Sequence, residues 1–137
     1  MLKMILMNIL LLSLASPIFA QNKLNESNVK SALSQIFDLS KKQEYQKLAP
    51  FLLNKDNLKA FNFQNSSDAR SVKRISKKIK AYLDLSDSYQ YERLTFETFE
   101  NLPSAELEVS FKSGDQDLKI SFIFIEQSNK ILLAKFR

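Results

Sequence analysis

From Asn25 onward apolar side chains return every three or four positions. Val29, Ala32, Leu33, Ile36 and Phe37 share one face, and Lys30, Ser34 and Asp38 fall opposite. That spacing predicts an amphipathic helix capped by Asn25 or Ser27. After the polar break Lys41-Lys42-Gln43-Glu44, the apolar positions Tyr45, Leu48, Phe51 and Leu52 predict a second, short helical stretch whose regularity Pro50 limits. Residues 54–67 show no period. They carry Leu58, Phe61 and Phe63, however, so this linker is expected to lie across the edge of a core. A third helix is expected from a cap at Ser66 or Ser67 to about Ser86, with Asp68 suited to its positive end. Val72, Ile75, Ile79, Tyr82 and Leu83 occupy one arc of it, and Arg70, Lys73, Arg74, Lys77, Lys78 and Lys80 the other.

At Tyr89 the period changes to two and β-branched and aromatic residues become frequent. Tyr89 to Phe99 reads as a long strand, ended by a turn at Asn101-Leu102-Pro103-Ser104. In the next strand Ala105, Leu107, Val109 and Phe111 alternate with Glu106, Glu108, Ser110 and Lys112, one dry face and one wet. Ser113-Gly114-Asp115 places the chain's one glycine where a hairpin needs positive φ. The third strand, Leu118 to Glu126, sets Leu118, Ile120, Phe122 and Phe124 on one face and Ile123 and Ile125 on the other. A turn at Gln127-Ser128-Asn129-Lys130 leads into Ile131 to Phe136, also apolar on both faces. Helices first and strands last imply an α+β domain over residues 21–137, with three N-terminal helices packed on a curved antiparallel sheet of about four strands. There is no internal repeat and no low-complexity segment.

Residues 1–20 follow a different pattern. Lys3, an apolar block from Met4 to Ala15, Pro17 and a small residue at Ala20 form a secretory signal, with cleavage expected between Ala20 and Gln21. The block is shorter than the roughly 20 residues that span a bilayer, which argues against a retained anchor. The mature chain is therefore expected to be exported, to periplasm or medium. With no Cys at the cut, acylation as a lipoprotein is closed to it, and no transmembrane segment follows.

The chain has 137 residues, no Cys and no His, which removes disulfides, thiol chemistry and the commonest base and metal ligand together. No metal and no cofactor are expected. Packing must hold the fold, and the ample Phe supply, 11 in the full chain, is consistent with that. Without Lys3 there remain 19 basic against 15 acidic side chains, a mild bias toward anionic partners. Nucleic acid is not expected, because export separates the protein from most of it and no aromatic residues interleave the basic arc for base stacking.

The stretch Lys42-Gln43-Glu44-Tyr45-Gln46-Lys47-Leu48-Ala49-Pro50 after an early helix resembles the kinked second helix of small exported members of the nuclear transport factor 2 (NTF2)-like superfamily. The closing Leu118-Lys119-Ile120-Ser121-Phe122-Ile123-Phe124-Ile125, a polar turn and Ile131-Leu132-Leu133-Ala134 resemble their final hairpin. The resemblance covers nearly all of the mature chain and rests on element order and patterning. It implies a cystatin-like cone between helices and sheet. In enzymes of the superfamily that cone holds an Asp or His base, sometimes with Tyr or Asp polarising the substrate. Here His is absent, Asp38 and Asp84 sit on solvated helix faces, and Glu92 or Glu97 would have to point inward.

Three surfaces could carry function. Tyr82 and Tyr91 could bring hydroxyls into the cone, or bury their rings with the OH at the edge. Arg70, Lys73, Arg74, Lys77 and Lys78 could dock an anionic surface, or form an ordinary solvated face. Ile123, Ile125 and Leu132 cannot face the helices if their neighbours do, so a sheet-to-sheet homodimer could cover them, or the C-terminal strands could curl around the first helix. Asn25-Glu26-Ser27 and Asn65-Ser66-Ser67 match the N-glycosylation pattern, which matters only in a eukaryotic secretory pathway. The leading expectation is an exported, non-enzymatic binding or interaction module with a small apolar ligand in the cone. The alternatives are a cone-pocket isomerase or hydratase using a carboxylate and Tyr, and an envelope-associated protein docking anions through its basic helix.

Overall fold

Asn25 opens the first helix by accepting the Asn28 backbone N–H at 2.9 Å on its side-chain oxygen. In the computed structural model, which describes residues 23–137, helix α1 spans Glu26–Lys41. The signal expected at residues 1–20 lies outside the described residues. A single turn of helix follows, α2 at Tyr45–Leu48, continued by a 3₁₀ turn at Ala49–Phe51 where Pro50 stands early, as its missing N–H and fixed φ require. The linker is more ordered than its lack of period suggests. It folds as a small antiparallel hairpin, β1 (Leu53–Asn54) and β2 (Lys59–Ala60).

Helix α3 spans Ser66–Asp84. Its cap is Asn65, whose side-chain oxygen takes the N–H groups of Ser67 and Asp68, rather than Ser66 or Ser67. The Asp68 carboxylate in turn accepts from the Asn54 side chain at 3.3 Å and the Asn62 N–H at 2.9 Å, tying the helix start to the hairpin. No helix among the described residues is long and apolar enough to cross a membrane.

The remaining strands, β3 (Ser88–Phe99), β4 (Leu102–Ser113), β5 (Gln116–Gln127) and β6 (Lys130–Phe136), form an antiparallel meander in the order β3-β4-β5-β6. The first turn is Glu100-Asn101, with φ of 52° and 63°, and not Asn101 to Ser104. Leu102 and Pro103 belong to β4, and two residues at positive φ match the twist of the flanking strands. Ser128-Asn129 repeats this geometry at 53° and 62°, and Gly114 takes φ 58° at the middle turn. Register shifts at Tyr91/Arg93 and Ile123/Phe124 bend the sheet.

Alternation along the strands separates two apolar clusters. On the helix-facing side Ala105, Leu107, Val109, Phe111, Ile120, Phe122, Phe124 and Leu133 meet Val29, Leu33, Ile36 and Phe37 of α1 and Val72 and Ile79 of α3. Phe37 packs on Phe122 at 5.4 Å and Phe111 at 6.0 Å between ring centres, and Phe122 stacks on Phe136 at 5.5 Å. On the opposite side Ile123, Ile125, Leu132 and Ala134 are covered by Leu53, Leu58 and Ala60 of the hairpin with Phe99 and Leu102. The three residues expected to offer a dimer face are therefore enclosed within one chain: Ile123 is 7% exposed, Ile125 0% and Leu132 2%. Their cover is the linker hairpin, not α1.

Candidate functional site

Tyr91 faces the helices from β3, and its hydroxyl lies 2.7 Å from that of Ser34 on α1. Burial of the phenol raises its pKa above the usual tyrosine value, while the Ser34 hydrogen bond works the other way. Lys30, held 3.0 Å from Glu26, places its ammonium 5.9 Å from the centre of the Tyr91 ring. This corner opens on a crevice of about 30 Å³, room for about one water. Tyr82 lies elsewhere, packed on Phe111 at 5.6 Å and Phe136 at 6.2 Å beside a shallow depression of about 190 Å³. The two tyrosines line different hollows.

The helix–sheet interior is filled by the aromatic cluster, with Phe37 3% exposed, Phe111 3% and Phe122 0%. Glu97 falls on the outer face opposite Ser104, and Glu92 sits exposed in the β3 bulge. Asp38 pairs with Lys42 at 3.1 Å, and Asp84 pairs with Lys80. None of these carboxylates points into the interior. No cluster of metal-ligating side chains occurs among the described residues.

Wider openings than these two hollows lie outside the cone, and one of them borders the basic helix. A cleft of about 390 Å³ runs between α3, the 52–56 segment and β6. Leu52, Phe61, Ile75, Leu133 and Phe136 form its apolar walls, and Lys55, Arg74, Lys78 and Lys135 stand around it with Asp56 as the one acidic neighbour. Among the described residues Lys55, Arg74 and Lys78 make no ion pair. By contrast, Lys30 pairs with Glu26 within α1, and Lys42, the residue after that helix, pairs with Asp38. Lys78 lies over the Phe136 ring at 5.6 Å, so its stem covers apolar surface while its ammonium stays at the rim.

The basic arc of α3 is thus divided by its neighbours. Arg74 and Lys78 border the cleft, Lys73 leans over Tyr45 of α2 at 5.9 Å, Lys80 is neutralised by Asp84, and Arg70 and Lys77 face solvent. Helical periodicity identifies Arg74 and Lys78. It does not reach Lys55 or Lys135, whose positions beside them depend on the linker hairpin and the edge strand.

In three dimensions the chain resembles solved structures of the NTF2-like fold. A Campylobacter jejuni protein provisionally named an NTF2-like transpeptidase superimposes with TM-score 0.52 at 11% sequence identity, over 79% of this chain and 98% of that one. A second chain, named Rd1NTF2_05 with five substitutions, gives TM-score 0.47 at 11% identity, over 80% and 95%, and adds nothing to the assignment. No family model and no curated protein sequence matches the chain. The fold is NTF2-like, an architecture that commonly forms a ligand-binding cone.

Proposed function

We propose that this protein is an exported, non-enzymatic binding module whose ligand sits in the α3–β6 cleft rather than in the cone, and that the ligand joins an apolar body to an anionic group. One observation carries this reading: the cone interior is packed with aromatic side chains, while the cleft sets apolar walls beneath Lys55, Arg74 and Lys78, cations without ion pairs among the described residues. A concave apolar surface with a few polar groups at its rim suits a small amphiphile. Arg74 offers a planar fork for a carboxylate or phosphate, and Lys78 a point charge beside it.

The test is a calorimetric titration of the purified protein with dodecanoate and, separately, dodecanol. Dodecanoate should bind at least about tenfold more tightly, a difference on the scale of one charge-assisted hydrogen bond. Arg74→Glu combined with Lys78→Glu should erase that preference while circular dichroism shows the fold kept; the loss of the Lys78 contact over Phe136 lowers the melting temperature only modestly. Equal affinity for the alcohol, or no binding of either, overturns the reading.

A second reading is docking of an envelope-associated protein onto an anionic surface through Arg70, Lys73 and Lys77, favoured by their exposure and lack of ion pairs among the described residues. Cosedimentation with anionic vesicles that weakens as salt rises, and is lost in a triple Glu variant, would support it.

A further inference from the structure

Strand β3 is an outer strand of the sheet, and from Arg93 to Phe99 it runs beside β4 without irregularity. Its turn closes on the pair Phe99 and Leu102. In a hairpin with a two-residue turn that closing pair exchanges both backbone hydrogen bonds, and bonded pairs then alternate. Counting back, Glu97, Thr95 and Arg93 direct their N–H and C=O toward β4. Thr98, Phe96 and Leu94 direct theirs outward, where the described residues supply no strand. Phe96 sits on the helix-facing side of this edge and is 57% exposed. A free, regular edge carrying an exposed aromatic is a template for another strand.

We propose that this edge pairs antiparallel with the same edge of a second copy, joining two four-stranded sheets about a two-fold axis at Thr95. The register follows by elimination. Outward-directed residues must meet outward-directed residues, so the axis must pass through a residue. At Arg93 or Glu97 it would set a charge against its own copy. At Leu94 it would press Phe96 against the bulged Glu92, and at Phe96 it would leave Arg93 facing Phe99 and Glu97 facing Thr95. At Thr95, Phe96 meets Leu94 of the second copy twice on the helix-facing side, and Arg93 meets Glu97 of the second copy twice on the outer side. The Arg93–Glu97 pairs fall at non-bonded positions, where opposing side chains stand closest. Arg93 is free to make them: its one ion pair, to Glu108, is at 4.0 Å with its side chain 76% exposed. A patch complementary to itself gives a closed two-fold dimer. Ile123, Ile125 and Leu132 take no part in it.

Sedimentation velocity of the purified protein up to high micromolar concentration, with native mass spectrometry, tests the pairing. The expected result is a dimer. Arg93→Glu and Glu97→Arg should each weaken it about tenfold or more, because two attractive pairs become repulsive. Combining them should restore the dimer, because the pairs reform with their signs exchanged. Circular dichroism checks that each variant is folded. A monomeric wild type, a dimer indifferent to the single changes, or a folded double variant that stays monomeric overturns the proposal. Phe96→Lys, at an exposed position, gives a readout independent of the swap: monomer is expected, and a persisting dimer overturns the proposal by itself.

Discussion

The two faces of the sheet are built from the same strands yet closed in different ways. β5 and β6 carry apolar residues on both sides. The helix-facing side is sealed by two long helices whose Phe37, Val72 and Ile79 interlock with Phe111 and Phe122. The outer side is sealed by a hairpin with two residues in each strand. That hairpin is held at its ends, by Asn54 on Asp68 and by the Gln127 side chain donating to the Leu58 carbonyl at 3.2 Å. Leu58 adopts φ 56°, a strained value for a leucine, where its side chain packs against the outer cluster. A thick layer buries its cluster by interdigitation, and a thin one by a few point ties.

The largest loss of stability is expected in the thick layer. Phe122→Ala should cost about 3–5 kcal/mol in denaturant unfolding, since its neighbours are packed on every side and cannot collapse into the cavity. Ile125→Ala on the outer face should cost about 2–3 kcal/mol, nearer the low end for a buried Ile because the hairpin can settle inward. Adding Leu58→Ala should then cost less than it does alone, a shortfall measurable by a double-mutant cycle. If the two costs simply add, the hairpin is as rigid as the helices.

Tyr91 gives the thick layer a pH dependence. Its folded pKa is raised, so below about pH 10 both folded and unfolded states keep the proton and no stability is lost. Above that, the unfolded phenol ionises first and stability falls until the folded pKa is passed. Tyr91→Phe should flatten this alkaline slope in melts run across the range, and should cost about 1 kcal/mol at neutral pH for the Ser34 bond. An effect of similar size has the opposite sign. Ser76, 1% exposed on α3, has a side-chain oxygen with no hydrogen-bond partner among the described residues. Ser76→Ala should stabilise by about 1 kcal/mol, read as a raised melting temperature, by removing a desolvated hydroxyl and improving helix propensity.

By itself the sequence determined what repeats or turns locally. Three helices before four strands, the apolar face of α1, the basic arc of α3, Gly114 at its turn and the two apolar faces of β5 and β6 all follow from periods of 3.6 and 2 and from turn chemistry, which act over a few residues. Even there the caps and turns were blurred: Asn65 and Ser66 are equally good caps by type, and Glu100-Asn101 lacks the glycine that marks a tight turn. Tertiary structure alone decided which apolar surface stays open. Alternation shows that Ile123, Ile125 and Leu132 leave the main core but not that a linker without period will cover them. It also cannot bring Lys55 to Arg74 and Lys78, or leave Phe96 uncovered at the end of a sheet. Those outcomes depend on contacts between segments far apart in the chain, and a one-dimensional pattern carries no information about which distant segment arrives.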